Sequence, residues 1–165
     1  MTETGKDRIP ILAIIGWSGS GKTTFITALI EELCRDNFRV AAIKHNAHKF
    51  TIDKPGKDSW QLRRAGAESV FITSADKMAL IQEVASLPRV EEMADFLDDS
   101  YDLLLVEGYK SGSVPQIEIF RPSAYEEPVK KKEEVLERVI NKGSKEELKK
   151  KARQLCKKIK KGLLN

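Results

Sequence analysis

Cysteine and histidine are scarce in this sequence, with two of each among 165 residues. Cys34 and Cys156 stand far apart, each inside a helical pattern. Such a pair builds neither a disulfide framework nor a cysteine metal knuckle, and both read as thiols packed between helices. His45 and His48 fall three apart in one charged segment. With no cysteine beside them they are weak support for a structural zinc. Long apolar runs are also missing. Nothing approaches the length of a membrane span, and the first ten residues are charged and lack a signal-peptide core. These absences leave a cytoplasmic, non-membrane chain whose length suits one domain with a real core.

Charge is unevenly spread. Residues 129–165 hold fourteen of the 29 Lys and Arg but five of the 25 Asp and Glu, a net of +9. The rest of the chain is therefore net acidic against an overall +4. Basicity belongs to the tail, so the main domain is not expected to bind nucleic acid.

What is present is concentrated in residues 9–24. Ile9, Ile11, Leu12, Ile14 and Ile15 form a short β-branched run suited to a strand buried on both faces. Gly16-Trp17-Ser18-Gly19-Ser20-Gly21-Lys22-Thr23 then fits G-x-x-x-x-G-K-[ST] without a mismatch. A helix follows, with Phe25, Ile26, Leu29, Ile30 and Leu33 recurring at threes and fours. Glycines let the backbone turn tightly and approach a ligand. The turn aims N–H groups at phosphate oxygens, and the helix adds its positive end. Residues 16–24, Thr24 included, are thus expected to hold the phosphates of a nucleoside triphosphate. Lys22 reaches the β- and γ-phosphates, and the Thr23 hydroxyl takes a place on Mg²⁺.

A second strand, residues 39–43, leads into a charged loop containing Pro55-Gly56. In parallel sheets ligands sit where loops leave the carboxyl ends of strands. On that ground Asp53 and Asp58 are candidates for Mg²⁺ or its bound water. Lys44, His45 and Lys57 are candidates for phosphate contact. Asp58-Ser59 could cap a helix over 60–65 that stops at Gly66. Residues 69–73 and 78–84 read as a hairpin, and Pro88 opens an acidic helix over 90–97. Leu103-Leu104-Leu105-Val106 then ends in Glu107, the pattern of the metal-side strand of a phosphate-loop nucleoside triphosphatase, with Glu where Asp is usual. Residues 114–121 give another strand, and 133–140 fit helix or strand. Ser144 with Glu147 marks the cap of a final basic helix with Leu148, Ala152, Leu155 and Ile159 on one face. Asn141-Lys142-Gly143-Ser144 approaches the guanine-reading N-K-x-D pattern, but Ser144 cannot accept both guanine N–H groups as a carboxylate does.

The residues that go beyond a generic phosphate loop are Lys44-His45, residues 53–60 (DKPGKDSW), Arg64-Ala65-Gly66-Ala67, Val106-Glu107-Gly108-Tyr109-Lys110, and Pro115 with Ile117-Glu118 and Arg121. Together and in this order they resemble the molybdopterin-guanine dinucleotide biosynthesis protein B (MobB) family, from about Ile9 to Arg121. The resemblance implies an α/β phosphate-loop fold, a mostly parallel sheet flanked by helices. Residues 1–128 are expected to form the nucleotide domain and residues 129–165, outside the resemblance, a basic helical extension packed on it. The resemblance carries a function as well. It implies a dimeric GTP-binding protein that hydrolyses GTP weakly and supplies or positions GTP for the molybdopterin guanylyltransferase. The site it implies is Gly16–Thr24 with Asp53, Lys57, Asp58 and Glu107. Thr23, Glu107 and Asp53 are on the metal side, and Glu107 and Asp53 are the candidates for chemistry. The alternatives are a small-molecule kinase, with Asp53 or Asp58 as base, and an ATPase that uses the basic tail on nucleic acid. The tail has no aromatic stacking platform, so the last ranks lowest.

Overall fold

The structure, a computed structural model, describes residues 8–45 and 50–164. In chain order the elements are β1 (Ile11–Ile15), α1 (Lys22–Arg35), β2 (Val40–Lys44), α2 (Asp58–Arg64), β3 (Ser69–Thr73), β4 (Met78–Gln82), α3 (Val90–Ala94), β5 (Leu103–Glu107), β6 (Gln116–Phe120), β7 (Glu137–Ile140) and α4 (Lys145–Lys160). The chain divides into two compact units, Met1–His45 with Val90–Asn165, and Asn46–Arg89.

The larger unit is built on a five-stranded sheet in the order β2-β5-β1-β6-β7, with every pairing parallel. β1 lies at its centre. Its apolar run covers both faces: Leu12 and Ile14 join the cluster under α1 and α4, while Ala13 and Ile15 join Val90, Leu104, Val106 and Val114 on the other side. Alternation of side chains across a strand makes this division automatic. The larger cluster joins Phe25, Ile26, Leu29 and Leu33 of α1 to Leu148, Ala152, Leu155, Cys156 and Ile159 of α4. Each fully buried Leu, Ile or Phe side chain contributes about 1.5–3 kcal/mol of hydrophobic stabilisation. Arg153 donates to Glu32 and Lys160 to Asp36, both at 2.9 Å, along the rim of the same helix pair.

Because the strands are parallel, the chain leaves β1, β2, β5, β6 and β7 at one edge of the sheet. The register sets Ile14 of β1 opposite Glu107 of β5, and Lys44 of β2 opposite Glu107 as well. That edge carries the site.

Several sequence readings need correction. The strand expected at 114–121 is the shorter β6, which lies inside the sheet between β1 and β7. Residues 133–140 resolve into one 3₁₀ turn at Lys132–Glu134 and the strand β7. α3 stops at Ala94 rather than 97, because Phe96 and Leu97 N–H groups turn back to Met93 and Ala94. α2 begins at Asp58, after Lys57, and no side chain caps it. Cys34 is exposed, so of the two thiols only Cys156 is buried in helix packing.

The smaller unit holds α2 and the antiparallel hairpin of β3 and β4, registered from Ser69 with Gln82 to Thr73 with Met78. Ser74 N–H closes the turn on Lys77 O at 2.8 Å, and Arg63 of α2 pairs with Glu83 at 2.8 Å. The hairpin leaves Phe71, Ile72 and Met78 exposed. Among the described residues no helix is long and apolar enough to cross a membrane.

Candidate functional site

The loop after β1 is shaped by what its glycines permit. Gly16 has φ +148°, and a Cβ there would lie 2.4 Å from the Ile119 carbonyl oxygen. Gly21 has φ +100°, and a Cβ there would lie 2.7 Å from the Asn141 amide nitrogen. Any larger residue would push the loop off β6 or off the segment after β7. α1 starts at once from Gly21, with Lys22 as its first residue, so its first N–H groups lie beside the loop without intrahelical acceptors.

The polar side chains the sequence singled out around this loop come together. Lys22 Nζ donates to Trp17 O at 2.8 Å and Gly16 O at 3.2 Å, curling over the loop it belongs to. The Thr23 hydroxyl donates to Glu107 Oε1 at 2.9 Å, and Lys44 Nζ lies 3.6 Å from Glu107 Oε2. Partial burial holds the Lys22 ammonium below its ordinary 10.5. Glu107 opposes that shift, and the cations Lys110 and Lys44 reinforce it. Three lysines against one carboxylate leave a local excess of positive charge, which suits a polyanion. Ser18, Gly19, Gly21, Lys22, Thr23, Thr24, Lys44 and Glu107 line an open cleft of about 420 Å³, a size within the range of small-molecule sites.

The other candidates are held as follows. His45 N–H donates to Glu107 O at 2.9 Å, and its ring meets Tyr109 edge-on at 5.7 Å. His48 lies outside the described residues. Asp53, Lys57 and Asp58 belong to the smaller unit. There Asp53 is buried, its Oδ1 accepts from the Ser59 hydroxyl at 2.9 Å, and its Oδ2 has no hydrogen-bond partner, with Arg63 3.9 Å away. Lys57 and Asp58 start α2. A buried carboxylate oxygen without a donor suits a cation ligand, and Asp53 keeps that capacity.

The oxygens of Thr23 and Glu107 are hard donors at one point beside the phosphate loop. A magnesium ion is commonly held this way, by one or two protein oxygens together with phosphate and water. Among the described residues there is no cluster of three or more His, Cys, Asp or Glu that would make an all-protein metal cage.

A second set of contacts, not expected from the sequence, grips the loop from behind. Trp17 Nε1 donates to Glu127 O at 2.9 Å. The Tyr125 hydroxyl donates to Ser18 O at 2.5 Å, and Asn141 Nδ2 to Ser20 O at 2.7 Å. Arg121 Nη1 reaches Gly19 O at 3.4 Å. Tyr125 stacks on Trp17 at 5.8 Å, and Lys110 Nζ sits 4.4 Å from the Trp17 ring centre. The near-match to a guanine motif at 141–144 therefore has other duties. Asn141 is buried against the loop, and its Oδ1 accepts from Gly143 N–H. Ser144 caps α4 by accepting from Glu147 N–H.

Comparison with known proteins agrees with this fold. The family model described as "Molybdopterin guanine dinucleotide synthesis protein B", MobB, matches residues 11–142. The molybdopterin-guanine dinucleotide biosynthesis adapter protein of Escherichia coli strain K12 is 43% identical over 130 residues, 75% of this chain and 73% of that one. A crystal structure of molybdopterin-guanine biosynthesis protein B superposes with a TM-score of 0.59 at 28% identity, covering 89% of this chain and 98% of the other. Bacillus subtilis MobB gives 0.57 at 28% identity, covering 80% and 78%. The fold is that of these phosphate-loop proteins, and the chain belongs to the MobB family.

Proposed function

We propose that this protein binds GTP at the phosphate loop and works as an adapter in molybdopterin guanine dinucleotide biosynthesis, supplying or positioning GTP for the guanylyltransferase. Its adapter role in that biosynthesis follows from family membership. The observation that carries the nucleotide reading is the cleft in which Lys22, Lys44, Thr23 and Glu107 surround one loop. Lys22 and Lys44 meet the phosphate charge, and the first amides of α1 bind its oxygens. Thr23 and Glu107 would hold Mg²⁺, with Asp53 a further candidate. The ion would neutralise phosphate oxygens when bound.

Hydrolysis is proposed to be weak. Among the described residues no Gln is identified as the water-positioning group on which fast GTPases depend, and Arg121, the arginine at the loop, is engaged with Gly19 O and Ser123. Glu107 and Asp53 are the candidates for what turnover there is. The protein is proposed to act in the cytoplasm as a homodimer. An isolated two-stranded hairpin is marginal in water, and β3–β4 exposes Phe71, Ile72 and Met78, surface that a second copy would cover.

Calorimetric titration with GTP and with ATP, each with Mg²⁺, tests this reading. Preference for GTP supports the adapter role. Equal binding or preference for ATP would overturn the guanine assignment and bring a small-molecule kinase forward.

A further inference from the structure

The phosphate loop is held through its carbonyls. Those of Gly16 and Trp17 accept from Lys22, that of Ser18 from Tyr125, that of Gly19 from Arg121, and that of Ser20 from Asn141. The last three partners are not part of the loop. Arg121 and Tyr125 follow β6, and Asn141 follows β7, so the donors come from 102 to 121 residues further along the chain.

A peptide unit is planar and trans, so the carbonyl of one residue and the N–H of the next point in opposite directions from one rigid plane. Fixing Ser18 O therefore fixes Gly19 N–H, and fixing Ser20 O fixes Gly21 N–H. Without those anchors the two peptide planes, each flanked by glycine, are free to rotate, since glycine opposes no rotation with a side chain. Ser20 N–H is already committed to Trp17 O at 3.2 Å, so the Arg121 bond to Gly19 O matters less to the amides. It is also the longest of the three.

We propose that Tyr125 and Asn141 are positioning residues of the phosphate site. Each holds a loop carbonyl from behind and turns the amide of the following glycine toward a bound phosphate chain. The inference rests on the reading of this loop as the GTP site and adds residues to it. Both residues bond to loop carbonyls, so the proposed effect is on phosphate affinity, irrespective of base. Asn141 also accounts for Gly21, because a Cβ there would displace the amide that braces Ser20. The Tyr125 ring supports Trp17 by stacking, so its hydroxyl can be removed with that packing kept.

The test is binding of GTP and of inorganic tripolyphosphate to the full chain and to Tyr125→Phe and Asn141→Asp. Thermal unfolding without ligand is measured in parallel. Losing one hydrogen bond that orders the loop should weaken both ligands by the same factor, roughly three- to tenfold. Tyr125→Phe stays folded, its unfolding temperature lowered by no more than the loss of one exposed hydrogen bond accounts for. Undiminished tripolyphosphate binding in Tyr125→Phe overturns the proposal. So does a loss confined to GTP, which would place Tyr125 against the nucleoside. A parent protein that binds neither ligand overturns the nucleotide reading itself, and this inference with it. Asn141 is buried, so Tyr125→Phe decides the matter if Asn141→Asp fails to fold.

Discussion

Thr23 and Glu107 lie 84 residues apart in the chain, yet the threonine hydroxyl donates directly to the glutamate carboxylate at 2.9 Å. The parallel pairing of β1 with β5 brings this about. It sets Glu107 beside Ile14, and the loop and first turn of α1 carry Thr23 over the strand end. A threonine and a carboxylate at that spot offer two oxygens to one divalent ion. On the proposed reading, the lysines and loop amides would bind phosphate without help from Glu107. Glu107→Ala should therefore keep nucleotide affinity measured in EDTA while losing the gain that Mg²⁺ gives and any Mg²⁺-dependent turnover. Titration of parent and variant with and without Mg²⁺ checks this. An unchanged Mg²⁺ effect would remove Glu107 from the metal side.

Lys22 is the cation most committed to the loop, and Lys22→Ala should abolish triphosphate binding in the same calorimeter. Its pH dependence gives a second test. Burial holds its ammonium below 10.5 in the folded protein, with Lys110 and Lys44 adding to the effect and Glu107 opposing it. A depressed lysine favours the folded state less when protonated. The unliganded protein should thus gain stability as pH rises through the lowered value toward 10.5. Phosphate affinity moves the other way, since the neutral amine attracts an anion less. GTP binding should weaken at a pH where an ordinary lysine is still fully charged. Melting curves and titrations between neutral pH and the lysine range read both slopes, and the Lys22 variant should lose the stability slope.

The front of this site was legible in the sequence and its back was not, for a physical reason. Residues 16–24 and Glu107 announce themselves because the loop is contiguous and the metal-side strand ends in a carboxylate after four apolar residues. Tyr125 and Asn141 act through single hydrogen bonds to backbone carbonyls, which any hydroxyl or amide could make. Only the parallel order β1-β6-β7 reveals that their segments end beside the loop. The exposure of Cys34 is hidden in the sequence for a similar reason. It directly follows the buried Leu33, and one residue is about 100° of rotation, enough to carry it to solvent.

Glu118 shows what a buried charge requires. It is fully buried in β6, and its carboxylate accepts from Arg138 Nε at 2.9 Å and from Val129 N–H at 2.5 Å. Arg138, on the paired strand β7, also donates to Lys130 O. Arg138→Met keeps much of the side-chain volume but leaves the carboxylate short of its cation. It should destabilise the protein by about 3–5 kcal/mol. Replacing both residues, Glu118→Gln with Arg138→Met, should recover part of that loss, because no charge is then stranded. Urea unfolding of the two variants measures the difference. A single variant within experimental error of the parent would show the pair to be dispensable.

The two cysteines should behave differently toward a thiol reagent. Cys34 is exposed on α1, whereas Cys156 is buried between α4 and α1 and its Sγ–H points to Asp36 Oδ2 at 3.7 Å. Burial, and then the negative charge of Asp36, push the Cys156 thiol above its ordinary 9.0, with Lys160 opposing. The thiolate is the reactive form, so a raised pKa and a closed environment both slow the reaction. At mildly alkaline pH one equivalent of iodoacetamide should be consumed quickly, at Cys34, and the second only under unfolding conditions. Asp36→Asn separates the two causes. It removes the charge that raises the thiol but leaves the packing of Leu155 and Ile159 around it. If Cys156 in that variant still reacts only on unfolding, burial controls its reactivity. If it reacts in the folded state, the carboxylate was the main restraint and the α1–α4 interface opens often enough to admit the reagent.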